Sequence, residues 1–280
     1  MRVAVIGLGA MGLPMALRLA SLGHEVRGWD LSADRRAAAS GLALAEDAAR
    51  AAEAVLLSLP NDAAVNSAAE QILAAGPAPG AVVLDCSTVA PETPRRLAPR
   101  FAAAGLAWVD APVSGGPAGA ASGTLTVMAG ADPGALDRVR PVLEAISARV
   151  IEVGGPGSGA VAKLVNNLLV AANLLAAAEA LRLGSRAGVD AAALLSVINA
   201  ASGRSAATEV NFPRWILPGT FDSGFTAGLM RKDLRLAAGL AESCGGAGSL
   251  SSAVLRAWAE SPVSDAADFN RVAEAVWQGG

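Results

Sequence analysis

"VAVIGLGAMG", Val3 to Gly12, runs a short apolar strand into three glycines, Gly7, Gly9 and Gly12, at the G-x-G-x-x-G spacing. The spacing has a physical reason. The first glycine permits a tight turn, the second lets backbone approach a pyrophosphate, and the third allows close packing of strand and helix. The amides at the start of the following helix then face the phosphates, and the helix dipole favours their charge. The intervening Leu8, Ala10 and Met11 belong to the same turn and count with the glycines as cofactor-binding candidates. A purely structural βα turn would explain the glycines less completely.

Outward from this turn, short apolar runs alternate with segments of helix length. Strands are expected at Arg2–Ile6, Glu25–Trp29, Ala54–Leu59, Ala81–Cys86, Ala107–Asp110, Thr124–Ala129 and Arg149–Val153. The Ala/Leu-rich segments between them read as helices, several closed by glycine (Gly23, Gly41, Gly105), with Ser32 and Asp132 as N-caps. Such alternation makes βαβ units and a mainly parallel, doubly wound sheet of the Rossmann-like α/β class. After Val153 the pattern changes. "GGPGSG" (Gly154–Gly159) reads as a flexible connection, and beyond it only helical periodicity is found: one long helix from about Ala160 to Ala187, then shorter ones broken around Gly203, Pro213, Pro218 and Gly245–Gly248. The expected domains are therefore 1–158, binding a dinucleotide, and 159–280, all-helical.

The 280 residues suffice for two modest domains with a real core. Hydrophobic residues make up 53% and charged ones 17%, an apolar excess that points to contacts between subunits, as a homodimer or homotetramer. A net charge of -3 without a basic stripe argues against nucleic acid. The two cysteines, Cys86 and Cys244, make neither a disulfide framework nor a metal motif, which fits a reducing, cytoplasmic setting. The apolar run Val3–Leu17 carries three glycines and Pro14 and is read as part of the fold rather than as a leader. The long helix is interrupted by Asn166, Asn167 and Asn173, short of the roughly 20 clean apolar residues of a membrane span.

Asp30 ends the second strand, where a carboxylate can accept hydrogen bonds from an adenosine ribose and repel a 2′-phosphate; this favours NAD. Arg35 and Arg36, which could reach such a phosphate, keep NADP open. "SLP" (Ser58–Pro60) and "DCST" (Asp85–Thr88) end later strands on the same edge, making Leu59, Pro60 and Thr88 candidates for the nicotinamide half, although strand termination would equally account for Pro60.

Hydride transfer from an alcohol needs a proton acceptor, and elimination narrows the choice. The chain has no tyrosine, its one histidine, His24, falls at the opposite edge of the sheet, and no Cys/His cluster suits zinc. Of 22 basic residues 20 are arginine; the two lysines are Lys163 and Lys232. Lys163 stands within "GSGAVAKLVNN" on one helical face with Asn166 and Asn167, and a partly desolvated lysine can shed its proton as arginine cannot. "DAPVSGGPAGAASGTLTVMAG" (Asp110–Gly130) offers the Ser114 hydroxyl and the amides of Gly115 and Gly116 as a carboxylate cradle, or simply a glycine-rich loop between strands. Lys232, beside Asp233, reads on its own as a solvated helix turn with an ion pair.

"GLGAMGLPMA", "DAPVSGG" with "GTLTVMAG", "GSGAVAKLVNN" and "KDLRLA", in this order over nearly the whole chain, resemble the β-hydroxyacid dehydrogenases, the family of 3-hydroxyisobutyrate dehydrogenase and tartronate semialdehyde reductase. The resemblance implies a Rossmann-like domain joined by a long helix to an all-helical one. It implies Lys163 as catalytic acid/base, Asn167 as a substrate-orienting group, Ser114, Gly115 and Gly116 around the substrate carboxylate, and Lys232 beside the cofactor. Ala131 stands where relatives often have a second glycine, and Asp30-Leu31 stands where NADP-preferring relatives tend to carry Asn-Arg. Rival readings on the same scaffold are an NADPH-dependent imine reductase, which usually lacks this lysine, and 6-phosphogluconate dehydrogenase, whose helix carries a histidine where Val165-Asn166-Asn167 stand here. A non-catalytic NAD-binding module gives no reason for Lys163. The pocket end between Ser202 and Phe225, including Trp215, matches no specificity pattern.

Overall fold

The computed structural model describes residues 1–278. The described chain divides into two compact units, Met1–Lys163 and Leu164 onward. The first unit opens with β1 (Arg2–Ile6), α1 (Gly12–Ser21), β2 (Glu25–Trp29), α2 (Ala33–Ala38), β3 (Ala43–Leu44), β4 (Ala54–Leu57), α3 (Asp62–Ala75), β5 (Val82–Asp85), α4 (Glu92–Ala103) and β6 (Ala107–Asp110). It continues with β7 (Val113–Ser114), α5 (Gly116–Ser122), β8 (Leu125–Ala131), α6 (Ala135–Ile146), β9 (Ser147–Gly154) and the start of α7 (Ser158–Arg186).

Nine strands form one sheet in the order β3-β2-β1-β4-β5-β6-β8-β7, with β9 beside β8. From β3 to β6 every pairing is parallel. The central strands β1, β4, β5 and β6 are buried on both faces, their alternating side chains entering two cores, whereas β2 buries one face and β3 is exposed. Val3, Val5, Leu56 and Leu84 join a core with Met15 and Leu19 of α1 and Val139 of α6. Ala4, Val55, Leu57 and Val83 join Val65 and Ile72 of α3, Leu97 and Phe101 of α4, and Trp108 on the other face. Phe101 and Trp108 meet edge to face at 4.9 Å.

The chain then turns back: β8 runs antiparallel to β6 and β7, and β9 parallel to β8. The reversal is made between Ser114 and Leu125, through α5, and apolar periodicity does not encode it. Two strands of two residues, β3 and β7, lie outside the expected strands; such lengths carry no period. Ends differ by a residue or two, as where the fourth strand stops at Leu57 rather than Leu59, and β8 extends to Ala131. Ser32 caps α2 as expected. Asp132 does not cap α6, which begins after Gly134; its carbonyl accepts the Ala135 N–H instead.

The second unit consists of the rest of α7, α8 (Ala191–Ala200), a π-helix (Ala207–Ile216), α9 (Ala227–Ser243), α10 (Ser249–Glu260) and α11 (Arg271–Gln278). By length and composition alone α7 could cross a membrane, contrary to the reading from its asparagines. Its Ala171, Leu174, Ala178 and Leu181 are buried in the core of this unit with Phe212, Met230 and Trp258. The Trp258 indole donates to the Ala171 carbonyl at 3.3 Å. Pro213 lies inside the π-helix and does not break it. Having no N–H, it cannot serve the Thr208 carbonyl five residues back; the Asn199 side-chain amide donates to that carbonyl at 3.0 Å.

Candidate active site

The carboxyl ends of β1, β2, β4 and β5 bring one group of sequence candidates together. β1 sits between β2 and β4, so the crossover helices leave it in opposite directions and a crevice opens at its end. Gly7 turns there with φ 93°, and a Cβ on it would stand 2.2 Å from the Ser58 carbonyl oxygen. A Cβ on Gly12 would fall 1.8 Å from the Gly7 carbonyl oxygen. Gly9 differs: its missing Cβ faces only the Arg35 guanidinium, at 3.4 Å. The two outer glycines serve packing, and the middle one keeps the loop open to a ligand. Met11, the residue before α1, provides no side-chain cap; within the first turn the Leu13 N–H goes to the Gly9 carbonyl and Pro14 has none, so an anion would meet the helix dipole and the amides of the glycine turn itself.

Asp30 is buried at the end of β2, accepting the Leu8 N–H and the Ser32 N–H, each at 2.8 Å. Its carboxylate thus ties the β2 end to the glycine turn, with Arg35 3.5 Å away as an ion pair. Arg36 donates to the Asp30 and Leu31 carbonyls and stacks on Trp29 at 4.6 Å. Both arginines are engaged rather than merely solvated.

Leu59 approaches the Gly7 turn, and its N–H donates to the buried Ser87 hydroxyl at 2.9 Å. Pro60 is exposed in the turn before α3, and Thr88 is half-buried after β5. Asp62 accepts from the Ala90 N–H and the Thr93 hydroxyl, fixing the loop that holds Thr88. Asp85 is fully enclosed; one oxygen accepts the Ser87 N–H and the other has no hydrogen-bond partner. Burial pushes its carboxyl up to about 7, against the hydrogen bonds from Ser87 and with the help of Asp110 and Asp62. Burial also pushes the Cys86 thiol up. Among the described residues no group of three or more His, Cys, Asp or Glu could hold a metal.

Ser114 pairs with Thr126 across β7 and β8, so it sits on a short strand rather than in a free loop. Gly115 and Gly116, at φ 131° and 66°, follow it into α5. Lys163 is half-buried in the second turn of α7.

In the second unit Asn167 is buried, and its amide donates to the Asp233 carboxylate at 2.7 Å. Asn166 donates to Asn167 at 3.1 Å. The other Asp233 oxygen pairs with the Lys232 ammonium at 3.1 Å. Asp233 is only 2% exposed, so the pair that read as a solvated turn is built on a buried carboxylate. Asp233 thereby joins Asn167 and Lys232, two candidates far apart in sequence. Sequence reasoning took Asp233 only as an ion-pair neighbour of Lys232 and gave Asp85 and Ser87 no role; the one available signal was an acid beside a rare lysine.

A glycine turn at a parallel-sheet crevice, an acid at the end of β2 and an uncapped helix start define a pyridine-nucleotide-dependent oxidoreductase, and these residues fit NAD. Residues 2–155 match the NAD-binding domain of 6-phosphogluconate dehydrogenase, and residues 157–275 match the NAD-binding family of NADP-dependent 3-hydroxyisobutyrate dehydrogenase. The chain is 40% identical to the NAD-dependent L-serine dehydrogenase of Pseudomonas aeruginosa, over 84% of each. It is 39% identical to the 2-(hydroxymethyl)glutarate dehydrogenase of Eubacterium barkeri, over 84% of this chain and 81% of that protein. The structure of Mycobacterium tuberculosis 3-hydroxyisobutyrate dehydrogenase with L-serine superposes with a TM-score of 0.89 at 34% identity, covering 98% of both chains. The chain belongs to the β-hydroxyacid dehydrogenase family.

Proposed function

We propose that this enzyme oxidises a small 3-hydroxy carboxylate with NAD, using Lys163 as general acid/base. The supporting chemistry is common to the three relatives: 2-(hydroxymethyl)glutarate, L-serine and 3-hydroxyisobutyrate each carry a hydroxymethyl group on the carbon next to a carboxylate. In this reading residues 1–158 bind the dinucleotide, through Gly7–Gly12, Asp30, Leu59, Pro60 and Thr88, with Lys232 beside it. Residues 159–280 form the all-helical substrate and oligomerisation domain. Ser114, Gly115 and Gly116 hold the substrate carboxylate. Asn167, locked by Asp233, orients the hydroxyl. Lys163 in its neutral form takes the hydroxyl proton as the C–H bond breaks, and returns it in the reverse direction. Bound NAD supplies the acceptor for the hydride. Asp30, already turned towards the loop, disfavours a 2′-phosphate and so selects NAD over NADP.

The observation that carries the reading is Lys163 itself, one of two lysines among 22 basic residues, on the helical face of Asn167. Lys163→Arg should keep NAD binding and lower turnover by about 10²- to 10⁴-fold. The assay is reduced-nicotinamide absorbance with 3-hydroxyisobutyrate, glycerate, L-serine, threonine and 4-hydroxybutyrate, each with NAD and NADP. Turnover near the wild-type value in the arginine variant would remove the mechanism.

A second copy of the chain is the expected partner. Val165, Leu169 and Leu183 on α7 are 55%, 59% and 73% exposed, an apolar stripe in keeping with the apolar composition. The free cysteines, Cys86 and Cys244, are compatible with a reducing cytoplasm, and the net charge of -3 offers no basic stripe to attract nucleic acid.

A further inference from the structure

Three stretches that the sequence singled out separately, "DAPVSGG", "GTLTVMAG" and "GSGAVAKLVNN", meet at one carboxylate within the first unit. Asp110, 1% exposed at the end of β6, accepts the Gly157 N–H at 2.8 Å on one oxygen and the Ala160 N–H at 2.9 Å on the other. The Gly159 N–H also favours its charged form. A Cβ on Gly130 of β8 would stand 2.7 Å from both carboxylate oxygens and from the Gly159 nitrogen. A Cβ on Gly159 would stand 2.4 Å from the Met128 carbonyl oxygen and 2.6 Å from that of Asp110. The start of α7 is therefore seated directly on β6 and β8, with no room for a side chain between.

This seat lies between the two halves of the chemistry proposed above. Lys163 follows Ala160 by one helical turn, and Ser114 follows Asp110 by four residues along the chain. We propose that Asp110 is a positioning residue: by binding the Gly157 and Ala160 amides at the start of α7 it fixes the Lys163 amine relative to the Ser114–Gly116 cradle. The inference rests on the assignment of Lys163 as acid/base. A carboxylate suits the role because both oxygens accept, and its charge is favoured at a helix start. An asparagine would offer one acceptor and turn an N–H against an N–H.

Asp110→Asn, assayed with NAD and with L-serine and 3-hydroxyisobutyrate as probes, should lose kcat by about 10- to 100-fold while NAD affinity stays within about threefold. Its primary deuterium isotope effect should rise, and amide exchange at Gly157, Gly159 and Ala160 should quicken. Ile72→Ala, a core change on α3 with a comparable loss of Tm, should leave kcat and the isotope effect unmoved. Unchanged kcat in Asp110→Asn, or parallel losses in both variants, overturns the proposal. If Asp110→Asn does not fold, Gly159→Ala decides, since it keeps the carboxylate and displaces the helix start: kcat should fall with NAD binding kept, and full activity overturns the proposal. The wild-type protein gives a further test, because fast exchange of those three amides in the native state would also overturn it. Turnover retained in Lys163→Arg would remove the assignment of Lys163 while leaving the exchange result standing. An inactive Lys163→Arg beside a fully active Asp110→Asn would remove the positioning role alone.

Discussion

Asp85 and Asp110 are register partners at the ends of β5 and β6, both buried and both acids. Their oxygens are treated differently. Asp110 receives amides on both oxygens, and its carboxyl is pushed by burial, against those bonds, only to about 6. Asp85 keeps one oxygen without a partner, and its carboxyl rises to about 7 from an ordinary 3.8. A carboxyl raised on folding holds its proton longer in the folded chain than in the unfolded one. Its stabilising contribution is complete below about pH 4 and is lost as pH rises through about 7. Asparagine mimics the protonated acid and cannot ionise. Between pH 5 and pH 8, Asp85→Asn should therefore gain ~3–8 °C in Tm relative to wild type. An equal Tm difference at both pH values in parallel melts would refute the burial of an ionisable, half-unpaired acid.

At the scale of elements, the π-helix Ala207–Ile216 shows how a local rule is overruled. Proline at position 213 predicts a break, because it can neither donate nor pack in a regular helix interior. Here the missing donor falls against Thr208, which is buried, and Asn199 of α8 supplies the replacement N–H. The element thus depends on a side chain from its neighbour. Asn199→Ala should leave the Thr208 carbonyl buried and unsatisfied and cost about 1–3 kcal/mol, read from chemical denaturation. Asn199→Gln, if it reaches the same carbonyl, should recover part of the loss. A silent Asn199→Ala would show that the π-helix stands by itself. The same reasoning applies to α7, whose asparagines read as interruptions of an apolar helix. In the folded chain Asn167 has Asp233 as a partner, so its polarity is satisfied inside the protein.

For the whole molecule, the exposed apolar positions of α7 carry the expectation of self-association. Replacing Leu169 and Leu183 by glutamate together should shift the light-scattering mass from an oligomer to a monomer of 27.7 kDa while far-ultraviolet circular dichroism stays native. A wild-type protein already monomeric at working concentration would end that proposal.

Much of the fold was legible along the chain because the signals are local. The glycine spacing after β1, the alternation of two-sided apolar strands with helices, and the change of pattern after Val153 each depend on residues within a few positions of one another. The scarcity of lysine and the absence of tyrosine are likewise visible without coordinates, and they are what put Lys163 forward as the proposed acid/base. Other features depended on residues distant in sequence. The reversal at β8, the two-residue strands β3 and β7, and the joining of Asn167 to Lys232 through Asp233 depend on pairings across tens of residues. So does the meeting of Gly130, Gly159 and Asp110. Periodicity reports which side of an element is apolar, and composition reports which chemistries are available. Which carboxylate receives which amide is decided only when the chain has closed on itself, because hydrogen-bond partners are chosen by distance in space and not by separation along the sequence.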